Sequence, residues 1–212
     1  MTNQNKTRLV LVIDRSGSMA MIQSDMQGAI DSLVREQRNQ PGDLDIDVFE
    51  FDYIDPDVPY EPTISVTAEE YPGYKLIPRG GTALHDAMAL SIDYVGKRLN
   101  ELSEDDKPAS VQFVIVTDGY ENSSRQFTAK DVAARISRQR DKYNWDFLFV
   151  GANQDAVLTA RDFGIPASSS LTYTASSAGV ENSLRSVSAY VTGTRSGLGY
   201  EFTDEDRAKA NS

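Results

Sequence analysis

The stretch that most constrains this chain is Arg8 to Met19, RLVLVIDRSGSM. Leu9 to Ile13 is an unbroken apolar run, too short for a membrane span and rich in β-branched side chains, which predicts a strand buried on both faces. The run stops at Asp14, and Ser16, Gly17 and Ser18 follow at once. Asp14, Ser16 and Ser18 thus place three oxygen donors within five residues, where the carboxyl end of a strand turns into a helix. In an open α/β sheet that edge is where ligands bind. A carboxylate with two hydroxyls makes a poor nucleophile site but a good cradle for a hard cation. Magnesium takes six oxygens at about 2.0–2.1 Å, so the turn alone is not enough. The competing reading is local: serines that cap a helix and an aspartate that closes a turn.

Two further segments offer the missing oxygens. RGGTALHDA presents Thr82 after a glycine pair, and VIVTDGYEN presents Asp118 at the end of a second buried-strand pattern, Val111 to Thr117. Together, DRSGS, Thr82 and Asp118 resemble the metal-ion-dependent adhesion site, written DxSxS, T, D, of von Willebrand factor A-type domains. All five positions are present, and the resemblance covers about the whole chain in order and spacing. It implies that Ser16, Ser18 and Thr82 touch the metal directly. Asp14 and Asp118 are then the charge-balancing pair, acting directly or through water. The implied ion is magnesium, with manganese or calcium as alternatives, and its open position is implied to take an Asp or Glu carboxylate of a partner protein. Neutral hydroxyl ligands suit that role, since they leave the ion a strong Lewis acid. The resemblance to short, stand-alone members in bacteria and phages suggests an AAA-type ATPase or a stress-response protein as partner. Arg15 departs from the pattern by putting a long cation at the variable position, where it is expected to screen or select the partner's acid.

Composition sets the other bounds. A chain of 212 residues with 40% hydrophobic and 25% charged residues is an ordinary globule. The expected organisation is one domain over 1–195 and a polar tail over 196–212. A net charge of −11 with no Lys/Arg-rich block disfavours nucleic acid and anionic membranes as partners. The absence of cysteine excludes disulfides, thiolate metal sites and Cys nucleophiles. A polar start, MTNQNKTR, leading straight into a strand is read as no signal peptide, hence a cytoplasmic protein.

Along the chain, Ile22, Met26, Ile30, Leu33, Val34 and Gln37 share one face of a first helix over Met19–Asn39. Asp43 to Asp52, DLDIDVFEFD, alternates acids with apolar residues; it predicts an antiparallel or near-edge strand with a solvated acidic face and a bulge at Val48-Phe49. The proline-punctuated stretch Asp55 to Tyr74 adds at most a short strand at Thr63–Thr67 and is a candidate rim of the metal face, with Tyr53, Tyr60, Tyr71 and Tyr74 read either as contact residues or as local packing of a meander. A second helix runs from Thr82 to about Leu102, with His85, the one histidine, placed to hydrogen-bond beside the loop. Tyr120, Glu121, Asn122 and Ser123 extend the same edge. A third helix spans Thr128–Tyr143, a strand Trp145–Val150, a short helix ends near Phe163, a short strand surrounds Leu171–Tyr173, and Val180, Leu184, Val187 and Val191 mark a last helix. The end, from about Thr192, reads as mobile, with Tyr200, Phe202 and the FTDEDR run available to dock.

Strands alternating with helices predict a doubly wound, mostly parallel α/β sheet of about six strands sandwiched by helices. The function expected is a metal-dependent protein-interaction module and not an enzyme. The alternatives are a phosphatase-like, metal-assisted hydrolase using Asp14 or Ser16, and a structural subunit of a larger assembly. Against the hydrolase, Ser16 stands where an aspartate acid-base is wanted, and no lysine follows in the turn.

Overall fold

The computed structural model describes residues 2–153 and 155–212. The apolar run becomes the third strand in spatial order of a six-stranded sheet; neighbouring strands take up its backbone edges, and helices on either side of the sheet bury its two faces. Numbered along the chain, the strands are β1 (Asn3–Asp14), β2 (Asp43–Phe51), β3 (Ile64–Thr67), β4 (Pro108–Thr117), β5 (Asp146–Ala152) and β6 (Ser170–Tyr173). Their order is β3-β2-β1-β4-β5-β6, all parallel except β3, which runs antiparallel to β2. The helices are α1 (Gln23–Arg38), α2 (Leu84–Asn100), α3 (Ala129–Tyr143), α4 (Ala156–Asp162), α5 (Ser177–Arg195) and α6 (Asp204–Ala210).

The side-chain parity of β1 divides the core in two. Leu9, Leu11 and Ile13 pack with α1 and α5 on one face, while Val10 and Val12 pack with α2, α3 and α4 on the other. Connections leave β1 toward one side of the sheet and β4 toward the other, so strand order reverses between β1 and β4. The crevice outside their carboxyl ends is the place where such sheets bind ligands. Asp14 closes β1 and Asp118 follows β4 at that reversal.

Three expectations are corrected. Strand β2 lies one in from the edge, parallel to β1, and its register from Asp43 to Phe51 is unbroken, so no bulge occurs at Val48-Phe49. Both residues are buried because each faces a different half of the core. Nor is its acidic set a solvated face. Asp45 and Asp47 are bridged by Arg8 at 2.9 and 2.7 Å, and Asp47 also accepts the Ser65 hydroxyl. Finally, the residues between the first metal-type turn and α1 form a 3-10 turn, Gly17–Ile22, and the α-helix proper begins at Gln23.

At the other end, the docking alternative is what the structure shows. Helix α5 continues to Arg195, and the chain then folds back over the exposed edge of β6. Phe202 is buried against Tyr190, with ring centroids 5.4 Å apart. Helix α6 opens on a capping box between Thr203 and Asp206 and presents Arg207 to the carbonyls of Ser170 and Ala167. Thr174 N–H donates to the Ala210 carbonyl at 2.9 Å. The polar edge of the last strand is thereby satisfied by its own chain, which removes a template for strand addition. Phe202→Ala is expected to lower unfolding free energy by about 3 kcal/mol, toward the low end for a buried phenylalanine; urea denaturation measures it, with amide exchange accelerating first in β6 and α6.

Candidate metal centre

The five oxygen-bearing residues meet at one point on the carboxyl edge of the sheet. Asp14 is fully buried; its Oδ1 accepts the Ser16 N–H at 2.7 Å and its Oδ2 the Thr117 hydroxyl at 2.6 Å. The first bond folds the chain back so that Ser16 and Ser18 point the same way, with hydroxyls 3.1 Å apart. Ser16 occupies the helix N-cap position but makes no capping bond through its side chain, so local capping does not account for it. Ser18 reaches across the crevice and donates to Asp118 Oδ1 at 2.6 Å. Thr82 arrives from the other side. A Cβ placed on Gly119 would lie 3.6 Å from the Thr82 hydroxyl and 3.8 Å from that of Ser18, so both oxygens border the space beside that glycine.

The loop bearing Thr82 is held by its neighbours. Gly17 N–H donates to the Gly80 carbonyl at 3.2 Å and Arg79 N–H to the Arg15 carbonyl at 2.7 Å, tying it to the serine turn. Thr82 N–H donates to Asn122 Oδ1 at 2.9 Å, and the Thr82 carbonyl accepts from Asn122 and Ser123, tying it to the loop after Asp118. Gly80 has φ +69°, and a Cβ on Gly81 would sit 2.2 Å from Ser123 Oγ, so close packing between loops requires the glycine pair. The Thr82 hydroxyl itself makes no hydrogen bond to another described residue, although Thr82 is only 3% exposed.

Several positioning residues carried no motif. Thr117 reads as one more β-branched strand residue, yet its hydroxyl orients Asp14. Asp86, 1% exposed, accepts the consecutive N–H groups of Arg125, Gln126 and Phe127 at 2.8–3.0 Å, pinning the Asp118 loop to α2. Glu121 accepts N–H groups of His85, Ser123 and Ser124 and the Ser124 hydroxyl. Asn153, in the left-handed region at φ +55°, donates its amide to the Asp118 carbonyl at 3.0 Å. Glu121 and Asn122 therefore satisfy loop backbone, while Tyr120 stays 63% exposed. His85 sits beside the loop, but it is its backbone N–H that bonds Glu121; the ring stands edge-on to Phe163 and 3.8 Å from Glu121, beyond the hydrogen bond expected of it.

Of the rim tyrosines, three are packing residues. Tyr74 donates its hydroxyl to Glu50 and Tyr71 to Asp31, and Tyr60 lies against Phe49 with its hydroxyl buried. Tyr53 is the exposed one and carries the Arg125 guanidinium over its ring at 4.9 Å. Arg15 is held by acids of its own, its guanidinium 3.5 Å from Glu50 and from Asp52, whereas the sequence predicts it screening or selecting a partner's acid.

The electrostatics call for a cation. Burial pushes the Asp14 carboxyl up to about 6, against the opposing hydrogen bonds from Thr117 and Ser16, with the Asp118 charge adding to the rise. Burial likewise raises Asp118, in spite of the Ser18 hydrogen bond. Beneath them Tyr173 is buried, and its hydroxyl is pushed up by that burial and then by both carboxylates. Two acids of raised pKa beside one gap, with no basic side chain paired to either among the described residues, are stabilised by a bound ion. The donor set fits. Adjacent oxygens of an octahedron at about 2.1 Å lie about 3 Å apart, and the two serine hydroxyls stand at 3.1 Å. Ser16, Ser18 and Thr82 would hold a divalent ion directly, and Asp14 and Asp118 would balance its charge.

Comparison with solved structures agrees with this architecture. The chain is similar to a von Willebrand factor type A protein from Catenulispora acidiphila, with a TM-score of 0.61 and 18% identity over 89% of this chain and 43% of that one. It is also similar to proximal thread matrix protein 1 from the mussel byssus, at 0.58 and 14% over 91% of this chain and 47% of that one. The same mussel protein with a zinc-occupied MIDAS motif matches at 0.55 and 14%, again over 91% and 47%. This chain spans under half the length of each of these structures. No protein-family model matches the sequence, and no curated protein does. At these identities the likeness is one of fold: the protein has the von Willebrand factor A fold, a six-stranded α/β sandwich.

Proton and metal compete for the same carboxylates, which fixes the sign of a pH effect. Asp14 titrates near 6 in the metal-free fold and near 3.8 when free. Its charge therefore destabilises the metal-free protein by about 3 kcal/mol above pH 6, and this penalty fades as pH falls from 6 toward 4. An ion removes the penalty only where Asp14 is ionised. The rise in melting temperature caused by 5 mM magnesium is expected to be larger at pH 7.5 than at pH 5, and Thr117→Val, which strips a hydrogen bond from Asp14, to weaken magnesium binding; scanning calorimetry and titration calorimetry measure the two.

Proposed function

We propose that this protein is an interaction module that binds a divalent ion, magnesium in the cell, and through it the Asp or Glu carboxylate of a partner protein. The observation that carries this reading is a fully buried Asp14, hydrogen-bonded but paired with no cation among the described residues, beside three hydroxyls that border one gap. Serine and threonine oxygens contribute no charge, so an ion held by them keeps most of its attraction for an outside anion. The crevice opens at the sheet edge, where Ser18 is exposed and an incoming side chain has access. The zinc-occupied motif of the mussel protein, on the same fold, supports the assignment.

A binding role is favoured over hydrolysis by what surrounds the serines. Their hydroxyls engage each other and Asp118, and the His85 ring is turned to Phe163 and Glu121. A nucleophile needs a base within hydrogen-bond reach, and Asp118 is better used holding the ion. Among the described residues no helix is long and apolar enough to cross a membrane. The module acts in the cytoplasm, where magnesium is abundant, and takes one acidic residue of its partner at the ion.

Titration calorimetry with magnesium and with manganese tests the reading. The native protein is expected to bind one ion per chain, with affinity reduced at least tenfold in Asp14→Ala and more in Asp118→Ala than in Thr82→Ala, because a charge outweighs a neutral ligand. Partner capture is expected in magnesium and lost in EDTA. One-site binding that survives unchanged in Asp14→Ala, or no binding at all, contradicts the assignment.

A further inference from the structure

The segment that leads into Thr82 carries a cation in an unusual state. Arg79 lies three residues before Thr82, on the segment whose backbone is bonded to the serine turn through Arg15 and Gly17. Its side chain is 64% exposed, yet it is anchored. Nε donates to Asp52 Oδ2 at 2.5 Å, and the Asp52 side chain is only 8% exposed. Asp52 cannot drift, since it is also 3.5 Å from Arg15 and packs against Gly80, where a Cβ would meet Asp52 Cβ at 3.2 Å. Fixing an arginine through Nε leaves its two terminal nitrogens facing outward, and these bond to no other described residue. A guanidinium presents that edge to a carboxylate in bidentate fashion.

Neighbouring cations are committed elsewhere: Arg15 is shared between Glu50 and Asp52, and Arg125 lies over the Tyr53 ring. The chain as a whole carries −11, so an acidic ligand is repelled at long range and must be recognised by short-range contacts. A pre-anchored arginine also loses little side-chain freedom on binding.

We propose that Arg79 is a second anchor beside the ion, and that the partner segment is one with two carboxylates, the first taken by the metal and the second by the terminal nitrogens of Arg79. This rests on the metal-dependent reading above and adds a specificity to it. The rival role for Arg79, neutralising Asp52, predicts no effect on ligand choice.

The test uses blocked glycine-based peptides bearing either one aspartate or two aspartates separated by one to four glycines, titrated into the full chain with 5 mM magnesium or with EDTA. Amide chemical shifts read the millimolar affinities, and magnesium affinity is measured separately by calorimetry. At one spacing or more, the two-acid peptide is expected to bind about tenfold more tightly than the one-acid peptide, the effect of one charge-assisted pair. In Arg79→Gln that advantage is expected to shrink below about twofold, with one-acid and magnesium affinities unchanged. Arg79→Lys should keep part of it, and Arg185→Gln on α5, an equal change in net charge, all of it. A two-acid advantage that persists in Arg79→Gln, or no advantage at any spacing while the one-acid peptide binds in magnesium, overturns the role of Arg79 and leaves the metal site standing. Failure of magnesium itself to bind overturns both.

Discussion

Everything at the functional edge depends on how one carboxylate is held. Asp14 ends the central strand with no exposure to water, and hydrogen bonds from Ser16 and the Thr117 hydroxyl, with no cation among the described residues, meet its charge. The first bond bends the chain into the turn that aligns Ser16 with Ser18, and the second joins β1 to β4. A buried anion with so little compensation is costly, and that cost is what makes the gap beside it attractive to a cation. Stability and binding are opposed here. The metal-free fold carries an unfavourable charge that the ion relieves.

The surroundings are built to keep that gap from collapsing. Thr82 sits on a loop laced to the serine turn on one side and to Asn122 and Ser123 on the other. Asp86 and Glu121 gather six backbone N–H groups of the neighbouring loops, and so anchor the Asp118 segment to the start of α2. Buried polar networks of this kind fix geometry when every member is satisfied. The result is a rigid set of oxygens on loops that would otherwise move, supported by a sheet whose register is continuous from β2 through β1.

Much of the architecture was legible in the sequence because its signals are local and periodic. The β-branched runs of β1 and β4 and the spaced apolar residues of α1, α2 and α5 place strand and helix without further help. DxSxS, Thr82 and Asp118 were readable for the same reason: each follows a strand or a glycine pair that announces its context. What the pattern hid were residues whose role depends on pairing across distance. Thr117 looks like any strand threonine until β4 is set beside Asp14. The acids of β2 alternate as a solvated face does, and only the arrival of Arg8, Arg15 and Arg79 from other segments shows them paired. The carboxyl-terminal run appeared too polar to pack, yet one phenylalanine and one capping box suffice to dock it.

The most direct measurement is an anomalous difference map from a crystal of the protein grown with manganese. The account predicts one strong peak in the crevice between β1 and β4, with the hydroxyls of Ser16, Ser18 and Thr82 around it and one coordination position open to solvent or to an outside carboxylate. A peak elsewhere on the molecule, or a site in which the Thr82 hydroxyl faces away from the two serines, contradicts it.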